Sequence, residues 1–150
     1  MMSPEEQLAG FIAKFTPAIA KQTHAALAKM RTRLPGAIEL VYDNYNALAI
    51  AFGPSERTSE AIFSIAVYPR WVSLFFVHGT TLPDPRKLLK GSGKTIRHIV
   101  LKDIDLLDSP SVKALMASAL KQADIPIDKS RPNQLVIKSI SAKQRPRRPA

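Results

Sequence analysis

Gly91, Ser92, Gly93, Lys94, Thr95, Ile96, Arg97 and His98 are the segment of this chain in which residues with binding chemistry crowd most closely. Successive backbone N–H groups in a Gly-x-Gly turn can form a nest for an anion. Lys94, Thr95, Arg97 and His98 would add three charge-capable groups and a hydroxyl around a phosphate or carboxylate. The segment is not a nucleotide-binding P-loop, which needs a second glycine five positions before the one preceding lysine; Leu88 stands there. The same glycines serve equally to shape a plain turn with Lys94 solvated. If Arg97 opens a strand, Arg97 and His98 point to opposite faces and only one can share a face with the nest.

Other chemistries are less well provided for. Cysteine is absent, which removes disulfides, thiolate metal sites and cysteine nucleophiles. His24, His78 and His98 lie singly in different segments, and a lone histidine is more often a hydrogen-bonded structural residue than a ligand. Asp103, Asp105 and Asp108 are spaced by Ile104, Leu106 and Leu107 and lack the glycine of a calcium loop. Glu39, Asp43, Glu56 and Glu60 read as solvated edges and turns, not as an acid–base pair. Ser64, Ser73 and Ser92 have no nucleophile-elbow context. No catalytic residue, metal site or cofactor is therefore assigned, and an enzyme would have to use residues the sequence does not advertise. A second recognition surface is offered by Tyr42, Tyr45, Trp71 and His78, with Phe75 near them, against the plainer reading of Trp71 as a half-buried core residue.

The 150 residues carry a formal net charge of +10, four of these charges coming from Lys143, Arg145, Arg147 and Arg148 with no acid between Ser141 and Ala150. Such a balance suits polyanionic partners and equally serves solubility. Residues 141–150, rich in proline and arginine, cannot bury apolar surface and are expected to be a disordered tail, one that could hold nucleic acid through those four cations. No aromatic is interleaved with them, so base stacking by the tail is not expected. Residues 1–140 are expected to form one domain. The N-terminus has no basic leader region, and no apolar run approaches the roughly 18 residues of a membrane span, so a soluble cytoplasmic protein is expected.

The elements that must position these residues follow from caps and periodicity. Ser3-Pro4-Glu5-Glu6 is a capping box with proline at the first helical position, and Leu8, Phe11, Ile12 and Phe15 recur at helical spacing. Thr16-Pro17 repeats the cap, giving two helices or one broken at Pro17, until Leu34-Pro35-Gly36 stops the pattern. The period then falls to two: strands are predicted at Ile38–Tyr42, Ala47–Phe52, Ala61–Tyr68 and Trp71–Val77, joined by connections short enough to make an antiparallel meander. A short helical turn is predicted at Pro83–Leu89, a fifth strand at Arg97–Lys102, a helix after Ser109-Pro110, and a sixth, edge strand at Gln134–Ile140. The expected fold is α+β: a two-layer sandwich with helices on one face of a mainly antiparallel sheet of five to six strands. If the other face is apolar, either a second copy, making a homodimer, or another partner should cover it.

Three stretches, Glu39–Ala47, Ala61–Val72 and Leu88–His98, together resemble bacterial YdhG-like domains of unknown function over about residues 36–123. The resemblance implies a frataxin-like fold, frataxin being an iron-binding and iron–sulfur assembly protein, and brings no established catalytic activity. Iron binding of the frataxin kind would need a carboxylate cluster, which the residues do not supply. The sequence reading is a non-catalytic module for an anionic small ligand or protein partner, with a nucleic-acid-associated protein and an unrecognised enzyme as alternatives.

Overall fold

The computed structural model describes residues 1–150. In α1 (Pro4–Ile12) the Ser3 hydroxyl accepts from the Glu6 N–H, and the Glu6 carboxylate accepts from the Ser3 N–H, each at 3.2 Å. In α2 (Pro17–Arg33) the Thr16 hydroxyl accepts from the Ile19 N–H at 3.3 Å. Thr16 takes an extended conformation, so the chain makes two helices and not one kinked helix. Leu34-Pro35-Gly36 ends α2. Gly36 has a φ of +83°, and the carbonyl of Asp128 lies 2.0 Å from where a Cβ would stand, so only glycine fits this corner. Asn133 accepts the Gly36 N–H at 2.9 Å, and Arg131 donates to the Gly36 carbonyl at 3.0 Å. These bonds pin the proline-interrupted segment before the last strand against the α2–β1 turn.

Strands β1 (Ile38–Asp43), β2 (Leu48–Gly53), β3 (Phe63–Val67) and β4 (Val72–Phe76) form an antiparallel meander, and β5 (Arg97–Val100) adds antiparallel to β4. After α3 (Pro110–Gln122), capped by Ser109, β6 (Gln134–Ile140) pairs parallel with β1 at the other edge. The sheet order is β5-β4-β3-β2-β1-β6. The chain is thus an α+β protein with three helices and an open, mostly antiparallel sheet of six strands.

Alternation along the strands separates two faces. Val41, Leu48, Ile50, Phe52, Phe63, Ile65, Val67, Leu74 and Phe76 join the buried faces of the helices in one core of 28 residues, while the opposite face holds a cluster of only four. The helices therefore cover one side. The uncovered side presents Tyr42, Ser64, Tyr68, Trp71, Phe75, His98 and Val100, none fully buried.

Three sequence expectations need correction. Pro83–Leu89 is not helical: Asp84 accepts from the N–H groups of Leu88 and Leu89, both at 2.9 Å, and Lys87 has a φ of +53°. Short 3₁₀ turns form instead at Thr58–Glu60, Gly79–Thr81 and Ile104–Asp108. Glu39 and Asp43 are not solvated; both sit on the helix-facing side of β1, 2% and 0% exposed. Residues 141–150 do not trail free of the fold. Arg147 is 5% exposed and its guanidinium meets the Asp43 carboxylate at 2.9 Å. Composition weighed only what the tail could bury of its own, whereas the tail docks by satisfying a buried charge that β1 supplies.

Candidate functional site

The strands carry the glycine-rich loop and the Tyr45 and Trp71 part of the second expected surface to opposite ends of the sheet. At the end where β1 and β6 finish, the β1–β2 turn brings up Tyr45 and Asn46, and the β3–β4 turn brings up Tyr68, Pro69, Arg70 and Trp71. β6 delivers the C-terminal segment to the same place, because its parallel pairing sets Ile140 beside Asp43. Ser141 and Arg145 continue the ladder, their N–H groups donating to the carbonyls of Asp43 and Tyr45 at 2.9 Å.

Arg147 anchors this segment. Beyond its ion pair with Asp43 it donates to the carbonyls of Asn44 (2.6 Å) and Tyr45 (3.5 Å), and its guanidinium lies 5.7 Å from the centre of the Phe15 ring. Its Nε is the one buried side-chain polar atom without a partner. Lys14 reaches the second oxygen of Asp43 at 3.4 Å, and Gln144 donates to the Asp43 carbonyl at 3.1 Å. The buried carboxylate is thus compensated from two directions, as a charge out of water requires.

With Arg147 fixed, its neighbours stand over a cleft of 850 Å³ lined by Asn46, Tyr68, Arg70, Trp71, Arg145 and Arg148, with prolines and Ala150 completing the wall. Tyr68 and Trp71 are stacked, centroids 4.7 Å apart and planes 20° from parallel. Trp71 remains 42% exposed, so its outer surface is open. Arg145 lies 5.7 Å over the Tyr45 ring, and Arg148 Nε donates to the Lys14 carbonyl at 3.1 Å. No Asp or Glu side chain lines the cleft, and none of Arg70, Arg145 and Arg148 forms an ion pair. Three permanent positive charges beside a stacked aromatic pair can hold an anion through charge-assisted hydrogen bonds and cover an attached flat group.

The glycine-rich loop lies at the other end. Lys90 and His98 exchange backbone hydrogen bonds at 2.8 and 2.9 Å, closing the loop at its base. Arg97 Nη1 donates to the carbonyls of Gly93 (2.6 Å) and Ile96 (2.8 Å), so this guanidinium braces the loop from within. Gly91 has a φ of +122° and Gly93 does not depart from negative φ. Ser92, Lys94 and Thr95 are exposed. Arg97 follows the helix-facing side of β5, whereas His98 lies on the uncovered side, 5.1 Å from the Phe75 ring and stacked on it. The loop brings its residues close in sequence without directing Arg97 and His98 to one point.

The remaining expected residues disperse. Tyr42 is on the uncovered face, its hydroxyl bonded to that of Thr58. His78 lines a separate cavity of 460 Å³ with Glu60, Thr81, Gln122 and Asp124, whose two carboxylates oppose an anion. Lys143 is exposed and makes no ion pair. No three histidine or acidic side chains gather where they could hold a metal ion. Arg70 and Tyr68 are the cleft residues that sequence reasoning passed over. Their signal was the Tyr-Pro-Arg-Trp turn itself, in which two aromatics flank an arginine at the tip of a hairpin.

Glu39, Arg31 and Asp108 have shifted proton affinities. Burial raises the Glu39 carboxyl above the ordinary range, only partly offset by the Arg31 guanidinium, which meets it through two hydrogen bonds at 2.8 and 2.9 Å. The same bonds raise Arg31. Glu39 thus helps hold the charge on Arg31, while for Glu39 the loss of water outweighs the partner. Asp108 is lowered by its hydrogen bond from Lys29, with Arg33 adding to the effect, and this ties α2 to the 3₁₀ turn before α3. These pairs hold the architecture together. No helix is long and apolar enough to cross a membrane. Compared with protein-family models, curated proteins and solved structures, the chain matches none of them.

Proposed function

We propose that this chain is a non-catalytic binding module of YdhG-like, frataxin-like architecture, acting in the cytoplasm, that takes an anionic ligand in the cleft of Tyr68, Arg70, Trp71, Arg145 and Arg148. The observation that carries the reading is the convergence of three arginines, none paired with a carboxylate, on one stacked aromatic pair. An unpaired guanidinium on a folded surface is a preformed donor for phosphate or carboxylate, and a lining without Asp or Glu side chains adds no side-chain repulsion when an anion enters. The architectural part rests on the resemblance over residues 36–123 and on helices packed against one face of the sheet. Frataxin's iron chemistry is not part of the proposal, since no carboxylates cluster.

Trp71 is the only tryptophan, so intrinsic fluorescence reports on the cleft directly. Inorganic pyrophosphate titrated into the full chain is expected to change the emission saturably, and the double substitution Arg145→Ala/Arg148→Ala should abolish the response. A flat titration at millimolar pyrophosphate, or a response that survives in the double variant, would remove the site.

A further inference from the structure

We infer that the anionic ligand of this cleft is a single-stranded nucleic acid, its phosphates held by Arg70, Arg145 and Arg148 and its bases laid against the uncovered face of the sheet. This inference rests on the anion-binding reading above and adds to it the chemistry of the rest of the ligand.

The first support is the composition of the cleft. A small inorganic anion needs cations alone, but here the cations stand beside a stacked Tyr68–Trp71 pair whose outer ring face is open to solvent. A second exposed ring, Tyr45 at 48%, sits under Arg145. Exposed aromatics beside arginines are what an unpaired strand uses, because every base has a flat face to stack while its backbone carries charge.

The second support is what lies beside the cleft. Trp71 and Phe75 fall on the same face of the β4 hairpin arm, four residues and therefore about 13 Å apart. Phe75 is itself stacked with His98 of β5. Between them lie the small side chains of Ser73 and, across on β3, Ser64 and Ala66; Ser73 and Ala66 are buried under their neighbours, and Ser64 is half-buried. Two aromatic stations along a face that no helix covers suit the splayed bases of a single strand and not a duplex. Lys102 stands next to the cleft as well: the Leu101 N–H donates to the Val72 carbonyl at 2.8 Å, which sets the exposed Lys102 beside Trp71 in the ladder. His98, expected from sequence to serve a loop nest, instead belongs to this platform.

The test is fluorescence anisotropy of a labelled oligouridylate of about ten nucleotides, within the range common for single-strand modules, with the full-length chain. Binding should weaken as salt rises with a log–log slope near about −2, the value for roughly three phosphate contacts on a single strand. Trp71→Ala, at an exposed position that leaves the core intact, should weaken binding about tenfold through loss of one stacked base. Phe75→Ala should weaken it by a similar factor. Circular dichroism checks that each variant keeps its fold, and Trp71→Phe should restore most of the affinity. If pyrophosphate binds the cleft but the oligonucleotide does not, or binds no more weakly to Trp71→Ala, the nucleic-acid inference falls while the anion site stands. Equal affinity for a duplex of the same length also overturns it. If neither pyrophosphate nor the oligonucleotide binds, both readings fall together.

Discussion

Two buried carboxylates on the inner face of β1 decide how its ends are closed. Asp43 is compensated by Arg147 and Lys14, and removing one partner of a buried pair leaves an uncompensated charge. Arg147→Ala is expected to cost about 3 kcal/mol of stability, with Lys14 keeping the loss at the lower end of its range; urea denaturation would measure it, and a loss near zero would mean the pair is not formed. At the other end Glu39 has its folded pKa raised, first by burial. Its contribution is therefore present at acid pH and lost as pH rises through the folded value. Arg31→Met should exaggerate this, because burial then acts without the opposing guanidinium. The variant is expected to be markedly less stable than the parent near neutral pH and to regain much of the difference on acidification, as a series of urea midpoints would reveal. Both acids alternate with Leu40 and Tyr42 in sequence as if solvated, and nothing in their own side chains distinguishes them from surface residues. Their partners come from α2 and from a segment about a hundred residues later.

The elements themselves were largely legible. Ser3, Thr16 and Ser109, each followed by proline, start the three helices, and each hydroxyl accepts the expected N–H. The change of period after Gly36 marks the meander, because side chains that alternate can line one face only in a strand. Pro83–Leu89 escaped the reading, since a local aspartate satisfied the donors that a helix would have used. Gly36 shows how an element boundary becomes a tertiary contact. Gly36→Ala would place a methyl against the Asp128 carbonyl in a left-handed conformation, and a loss of more than about 2 kcal/mol is expected by thermal or urea unfolding. The link between α2 and the Ile104–Asp108 turn should be acid-sensitive. The lowered Asp108 carboxyl contributes stability above its unfolded pKa and loses it as pH falls through the folded value. Asp108→Asn should accordingly flatten the acid limb of the stability profile.

For the molecule as a whole, the C-terminal segment is both a structural clamp and one wall of the cleft. A chain ending at Ile140 should be destabilised about as much as Arg147→Ala, roughly 3 kcal/mol, whereas one ending at Arg147 should keep its stability and lose only the cleft contribution of Arg148. Comparing urea midpoints of the two truncations separates the clamp from the binding surface, and equal stability of both would refute the clamp. The excess of positive charge was readable from composition, but its placement was not. Composition made residues 141–150 a free polyelectrolyte, and the fold turned one of its arginines inward and held two others beside Trp71. By itself the sequence determined the helices, the meander, the edge strand and the sign of the charge, because caps, periodicity and formal charge are properties of neighbouring residues. Only the tertiary structure decided that the glycine-rich loop braces itself while the turn at Tyr68–Trp71 meets the C-terminus. That meeting depends on β6 pairing parallel to β1, a long-range choice made by burial of the helix-facing side and by the charge on Asp43.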